Sequence, residues 1–207
     1  MRENANRNKL NVTQTVELAL LVALVVALQL VSNFMSFGPV AFSLALVPMV
    51  IGALMLGPGA GVILGGVPGL VNFITSFYNP FLLMLFQSAP VAYILVCFGK
   101  TMLAGFVAGL IYKALCRRHE FLGVCLASLA APVVNTGVFL VMMVIFFRGA
   151  MVAYFGAETV GNIWTFVMVG IITFNFFIEF GVNAALCVAV ERIIHAVRRD
   201  RINAKKQ

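Results

Sequence analysis

An all-α, polytopic membrane protein with six transmembrane helices and both termini in the cytoplasm is the fold class this sequence predicts. Three observations predict it. The 207 residues are 62 % hydrophobic and only 10 % charged, against about 45–50 % and about 25 % in soluble domains. The mean hydropathy is +1.06, so the few charged groups cannot cover a water-facing surface. The apolar residues also fall into six runs long enough to cross a bilayer, which takes about 20 residues per span, and the basic residues segregate to one side of them.

The first span is expected over Thr13–Phe34 and the second over Val40–Leu56. The third covers Gly59–Thr75, separated from the second only by Gly57-Pro58-Gly59, a turn with no room for a loop. The fourth runs Ser88–Tyr112, the fifth Phe121–Phe147 and the sixth Ile163–Ile194. Six crossings place both ends on one side with the second–third and fourth–fifth connections. That side holds twelve of the fourteen Lys and Arg residues; only Arg148 falls in an opposite loop, and Lys100 lies inside a span. Basic residues stay cytoplasmic, so residues 1–12 and 195–207 read as basic cytoplasmic tails on one integral membrane domain, 1–207.

The same partition gives the +7 charge its meaning. In a soluble chain it suggests nucleic acid; here it suits the anionic inner leaflet, and no nucleic-acid partner is expected. The four cysteines, Cys97, Cys116, Cys125 and Cys187, show no C-x-x-C spacing and read as small hydrophobes. The first apolar run is too long for a secretory signal and has no small-residue cleavage site.

Ionisable groups at membrane depth are costly and mark binding sites or pathways. Lys100 lies thirteen residues from Lys113, and Glu179 thirteen from Arg192, so each sits roughly 20 Å from the cytoplasmic edge at 1.5 Å per residue. The same count brings Asn72 and Asn135 to that level. Asn175, Glu179 and Asn183 recur every four residues and form one stripe; Gln29 and Asn33 form a shorter one. Candidate ligand-binding residues are therefore Lys100, Asn135, Asn175, Glu179 and Asn72. The blander alternatives are Asn side chains that tie helices together and a buried Lys100–Glu179 ion pair. Aromatic outer segments (Ser76–Phe81, the short loop Met35–Pro39, and Tyr154, Phe155 and Trp164) fit a roof over a cavity or membrane-interface anchors. Ala19, Ala23 and Ala27 form a small-residue face on the first span, and Gly105 and Gly109 do so on the fourth; such faces admit a close neighbour.

With these residues in place, the chain resembles the substrate-binding S component of an energy-coupling factor (ECF) vitamin transporter. The resemblance covers essentially the whole chain. Its most distinctive stretch is Leu44–Gly61, an apolar helix containing Pro48 that leads into Gly57-Pro58-Gly59-Ala60-Gly61. Ala131–Phe139 and Phe174–Asn183 are similar to the fifth and sixth helices of the vitamin group. The resemblance implies capture of a scarce vitamin from outside, with energy supplied by a transmembrane T component and two cytoplasmic ATPases. It also implies that Ala19, Ala23 and Ala27 dock on the T component, that the loaded subunit topples in the bilayer, and that the location is the bacterial plasma membrane. Nothing in the sequence matches G-x-x-x-x-G-K-[ST], so ATP hydrolysis belongs elsewhere. No cofactor or bound metal is expected.

Both histidines, His119 and His195, fall on the cytoplasmic side, which argues against a nickel or cobalt cargo. The acidic K-x-D-F-S-D run of riboflavin binders is replaced by Phe42-Ser-Leu-Ala, and the aromatic and acidic set of thiamine binders is missing. Lys100 suits a carboxylate, so the expected cargo is an anionic water-soluble vitamin such as pantothenate, with riboflavin, folate or biotin as alternatives. Two rivals come from other classes. An intramembrane enzyme needs a nucleophile beside His or a carboxylate pair, and no span contains His. An autonomous proton-coupled transporter has Glu179 as its obvious coupling group, but the halves show no internal repeat.

Overall fold

The computed structural model describes residues 12–34, 43–155, 176–185 and 192, without the side chains of 154 and 155. All regular structure among them is helical. The helices are α1 (Val12–Phe34), α2 (Leu46–Leu56), α3 (Pro58–Thr75), α4 (Pro80–Ser88), α5 (Pro90–Leu115), α6 (Glu120–Phe146) and α7 (Arg148–Phe155). The last is α8 (Phe176–Ala185). Among the described residues, four helical stretches are long and apolar enough to cross a membrane: Val12–Phe34, Pro58–Tyr78, Pro90–Leu115 and Glu120–Phe146. The two tails, Met35–Pro39, Val40–Phe42, Trp164, Asn175 and most of the expected sixth span lie outside the described residues.

The expected second span is shorter than its apolar run. Ser43–Ala45 form a turn, and α2 has 11 residues, roughly 17 Å of helix. The reason is local: the backbone N–H groups of Ser43 and Leu44 go to side chains of other helices, Glu179 Oε1 at 2.7 Å and Ser32 Oγ at 3.0 Å. Gly57, with φ of +98°, then makes the sharp turn that only glycine takes without strain, and Pro58 opens α3 where its missing N–H costs nothing.

Two helices stand where loops are expected. In α4, Asn79 caps the N-terminus by accepting from the N–H groups of Phe81 (3.0 Å) and Leu82 (3.3 Å). Pro80 fills the first helical position, and Phe81 and Leu85 turn one buried face inward. In α7, the flanking Phe147 and Met151 are both buried against the same cluster as α4. Packing thus holds Phe81 of the expected aromatic segment in the interior.

The centre of the fold is a close antiparallel seam between α3 and α5. A Cβ on Gly65 would meet the backbone of Thr101 and Met102, one on Gly61 the backbone of Gly105, and one on Gly69 the backbone of Cys97 and Phe98. At the far end Gly109 meets Pro58. Three glycines spaced by four thus put backbone against backbone, the small-residue packing that membrane helices use in place of a hydrophobic driving force. Gly105 and Gly109 of the expected small-residue face are spent on this internal seam. α6 also packs against α5.

Buried apolar residues divide into two clusters. One joins α1, α2, α3, α5 and α6 around Leu46, Met49, Leu64, Ala104 and Val124. The other joins α4, α5, α6 and α7 around Phe81, Leu85, Tyr93, Phe139 and Met151. Outward-facing Leu20, Leu24, Ile63, Leu103, Val133 and Val141 are exposed, as residues facing hydrocarbon must be if the bilayer is to solvate the helices.

Candidate ligand-binding site

A cavity of about 390 Å³ opens among α1, α3, α4, α5 and α6. Its polar lining includes Asn33, Asn72, Thr75, Asn79, Tyr93 and Lys100; Leu30, Leu82, Val96, Phe139 and Met143 supply apolar surface. The α3–α5 seam puts Asn72 and Lys100 on one opening, because Gly69 brings α3 against Cys97 one turn from each of them.

Lys100 Nζ lies 4.9 Å from the centroid of the Phe139 ring, a cation–π contact. Among the described residues it makes no ion pair and no hydrogen bond. Glu179 makes no close ion pair with it, although the two groups lie within electrostatic reach of each other. Glu179 is 6 % exposed; one carboxylate oxygen accepts from Ser43 N at 2.7 Å and the other from Asn135 Nδ2 at 3.3 Å. Asn183 Nδ2 donates to the Glu179 carbonyl at 2.8 Å. The direct Lys100–Glu179 pair weighed from the sequence therefore does not form: the acid is occupied by uncharged donors, and the base is left facing the cavity.

A second network continues from Ser43. Ser43 Oγ donates to Gln29 Oε1 at 2.8 Å, and Gln29 Nε2 donates to Asn72 Oδ1 at 2.9 Å and Asn33 Oδ1 at 3.2 Å. Asn33 Nδ2 then donates to Thr75 Oγ1 at 3.1 Å. One chain of hydrogen bonds thereby joins α8, the start of α2, α1 and α3. Buried polar groups demand such partners, and among the described residues Asn135 Oδ1 and Ser128 Oγ find none.

Of the expected ligand-binding residues, Asn72 and Lys100 line the cavity. Asn135 and Glu179 are brought together, but in the adjoining network and not in the lining. Asn33, Thr75 and Asn79 line it as well; Asn33 was visible as one half of the Gln29/Asn33 stripe, and Thr75 lies three residues beyond Asn72, one helical turn. Ser43 was not singled out in the sequence; it joins the two networks through its backbone N–H to Glu179 and its hydroxyl to Gln29. Ala19, Ala23 and Ala27 are all exposed along one side of α1.

The family description "ECF transporter, substrate-specific component" matches residues 14–191. The chain belongs to this family. As an S component it is a non-catalytic subunit of a multi-pass membrane transporter, and membership implies a T component and ATPase subunits as partners. A search of curated proteins finds no match to the chain.

Proposed function

We propose that this S component captures a small anionic water-soluble vitamin, with pantothenate as the preferred candidate, in the cavity beside Lys100. One observation carries the reading: a lysine that makes no ion pair or hydrogen bond among the described residues lines an otherwise largely apolar cavity, while Glu179 already accepts from Ser43 and Asn135. An unpaired cation in such a place favours an anion that completes its coordination. The volume of about 390 Å³ sits at the small end of ligand pockets, about 300–1,000 Å³, which favours a compact vitamin over one of folate's size. Lys100 and Asn72 contact the ligand in this reading. Asn135 and Glu179 shape the neighbouring wall.

The topology that fits is six crossings with both termini cytoplasmic, α2 and α8 belonging to the second and sixth spans. The exposed Ala19, Ala23 and Ala27 face docks on the T component, with two cytoplasmic ATPases driving import. Mass spectrometry of small molecules that co-purify in detergent tests the cargo, followed by titration of pantothenate into wild type and Lys100→Gln. The expected result is an anionic vitamin bound by wild type and weakened at least about tenfold by Lys100→Gln, the loss of one charge-assisted hydrogen bond. A cationic co-purified vitamin, or unchanged affinity in the variant, refutes it.

A further inference from the structure

The hydrogen-bond chain from Ser43 to Thr75 has a direction, and that direction decides what the cavity offers. Thr75 Oγ1 is 2.9 Å from the Val71 carbonyl and 3.2 Å from the Asn72 carbonyl. A carbonyl only accepts, so the single hydroxyl hydrogen of Thr75 is spent there and its oxygen can only accept from Asn33. The amide of Asn33 therefore turns its nitrogen to Thr75 and its oxygen to Gln29. Gln29 must then present its nitrogen, which donates to both Asn33 and Asn72, and its oxygen takes the Ser43 hydroxyl. Each amide orientation is forced by the one before it.

The consequence falls on Asn72. Its oxygen faces Gln29, which is 1 % exposed, so its amino group points the other way. That amino group has no partner among the described residues, and Asn72 lines the cavity. Lys100, with three donor hydrogens and no acceptor capacity, lines the same space.

We propose that this relay turns the amino group of Asn72 into the cavity, so that the site recognises its ligand through donors at two places and selects a molecule carrying an anionic oxygen for Lys100 and a second oxygen acceptor for Asn72. The inference rests on the reading of the cavity as the ligand site. Gln29 acts as a positioning residue: it is absent from the lining yet sets which end of Asn72 meets the ligand. A molecule with a donor at the second position meets donor against donor and is rejected, the unpaired-group penalty that makes polar sites selective.

Two variants test it, with pantothenate as the probe and calorimetric titration in detergent as the readout. Asn72→Asp replaces the amino group by oxygen at constant shape and lowers affinity about 100-fold, two lost powers of ten at about 1.4 kcal/mol each. Gln29→Met releases the orientation without entering the cavity and lowers affinity about tenfold. A readout independent of any ligand is side-chain amide hydrogen exchange by NMR on the unliganded protein. The Gln29 amide hydrogens exchange slowly and those of Asn72 rapidly. Wild-type affinity in Asn72→Asp, or the reverse exchange pattern, overturns the inference. If pantothenate does not bind wild type, or still binds Leu30→Trp, which fills the cavity, the site reading is what fails, and the exchange pattern alone then decides the orientation.

Discussion

Two adjacent glycines of α3 have opposite expected responses to the same substitution. Gly65 faces α5: an added Cβ would stand 2.7 Å from the carbonyl carbon of Thr101 and 2.8 Å from Met102 Cα. Ordinary van der Waals contact begins at 3.4 Å, so the shortfall is about 0.7 Å at the carbonyl carbon and larger at the Thr101 carbonyl oxygen, the nearest atom. The atoms it meets are backbone, and no rotamer change relieves them; the two helices must separate along the seam. Overpacking of this kind costs about 1–3 kcal/mol, against which the higher helix propensity of alanine returns at most about 1 kcal/mol. Parting the helices also loosens contacts at Gly61 and Gly69, which pushes Gly65→Ala to the upper part of that range. Gly66 has nothing within 4 Å of its Cβ position, so Gly66→Ala keeps only the propensity gain, about 0.5–1 kcal/mol of stabilisation. Thermal unfolding of the two variants in one detergent separates them: Gly65→Ala melts below wild type and Gly66→Ala at or above it. Equal melting temperatures would refute the close backbone approach of α3 and α5, and with it the shared opening that Asn72 and Lys100 line.

Substitutions at three further positions probe the networks around that opening and the exposed face of α1. Glu179→Ala leaves the Ser43 N–H and the Asn135 amino group without their acceptor, a loss of about 1–3 kcal/mol for each donor that stays unsatisfied; a clear fall in melting temperature is expected, with Glu179→Gln milder because its carbonyl oxygen still accepts from Ser43. Lys100→Gln, by contrast, breaks no hydrogen bond or ion pair among the described residues and loses only the cation–π contact with Phe139, about 0.5–2 kcal/mol, so melting falls modestly while titrated ligand affinity falls clearly; a large stability loss without an affinity change argues against a ligand-facing lysine. Ala23→Trp adds bulk to an exposed face and leaves melting and ligand binding intact while abolishing uptake by the assembled transporter; unimpaired uptake would remove this face from the docking surface.

That polar residues of separate helices meet in one region was legible in the residue count, but direction around each helix was not. A rise of 1.5 Å per residue put Lys100, Glu179, Asn72 and Asn135 at one level, and the structure does gather them into one region. Facing is a different coordinate. Two of them line the cavity, and two close a network with Ser43, because a carboxylate in a dry interior is held by whichever donors the fold delivers, including backbone N–H groups that no side-chain pattern reveals. The same limit explains α2: its apolar run has nothing to mark a stop, and the helix yields at Ser43–Ala45 where two N–H groups find side-chain acceptors on α1 and α8.

The short helix α4 shows the opposite case, a local signal outweighed by a global one. Asn79-Pro80 is an N-cap followed by the proline-tolerant first position, and Phe81 and Leu85 follow at the spacing of one buried face. Nine residues are too few to span a bilayer, so a reading that searches for spans leaves them as loop. The α3–α5 seam joins both lessons. Gly61, Gly65 and Gly69 announce a face for close packing by their spacing alone, yet the facing stretch supplies Cys97, Thr101 and Gly105, only one of them a glycine. A backbone can approach a threonine or cysteine as closely as a glycine when the glycine stands on the other helix, so the small-residue rule needs to be met on one side only, and a search for paired motifs overlooks the contact that sets the geometry of the site.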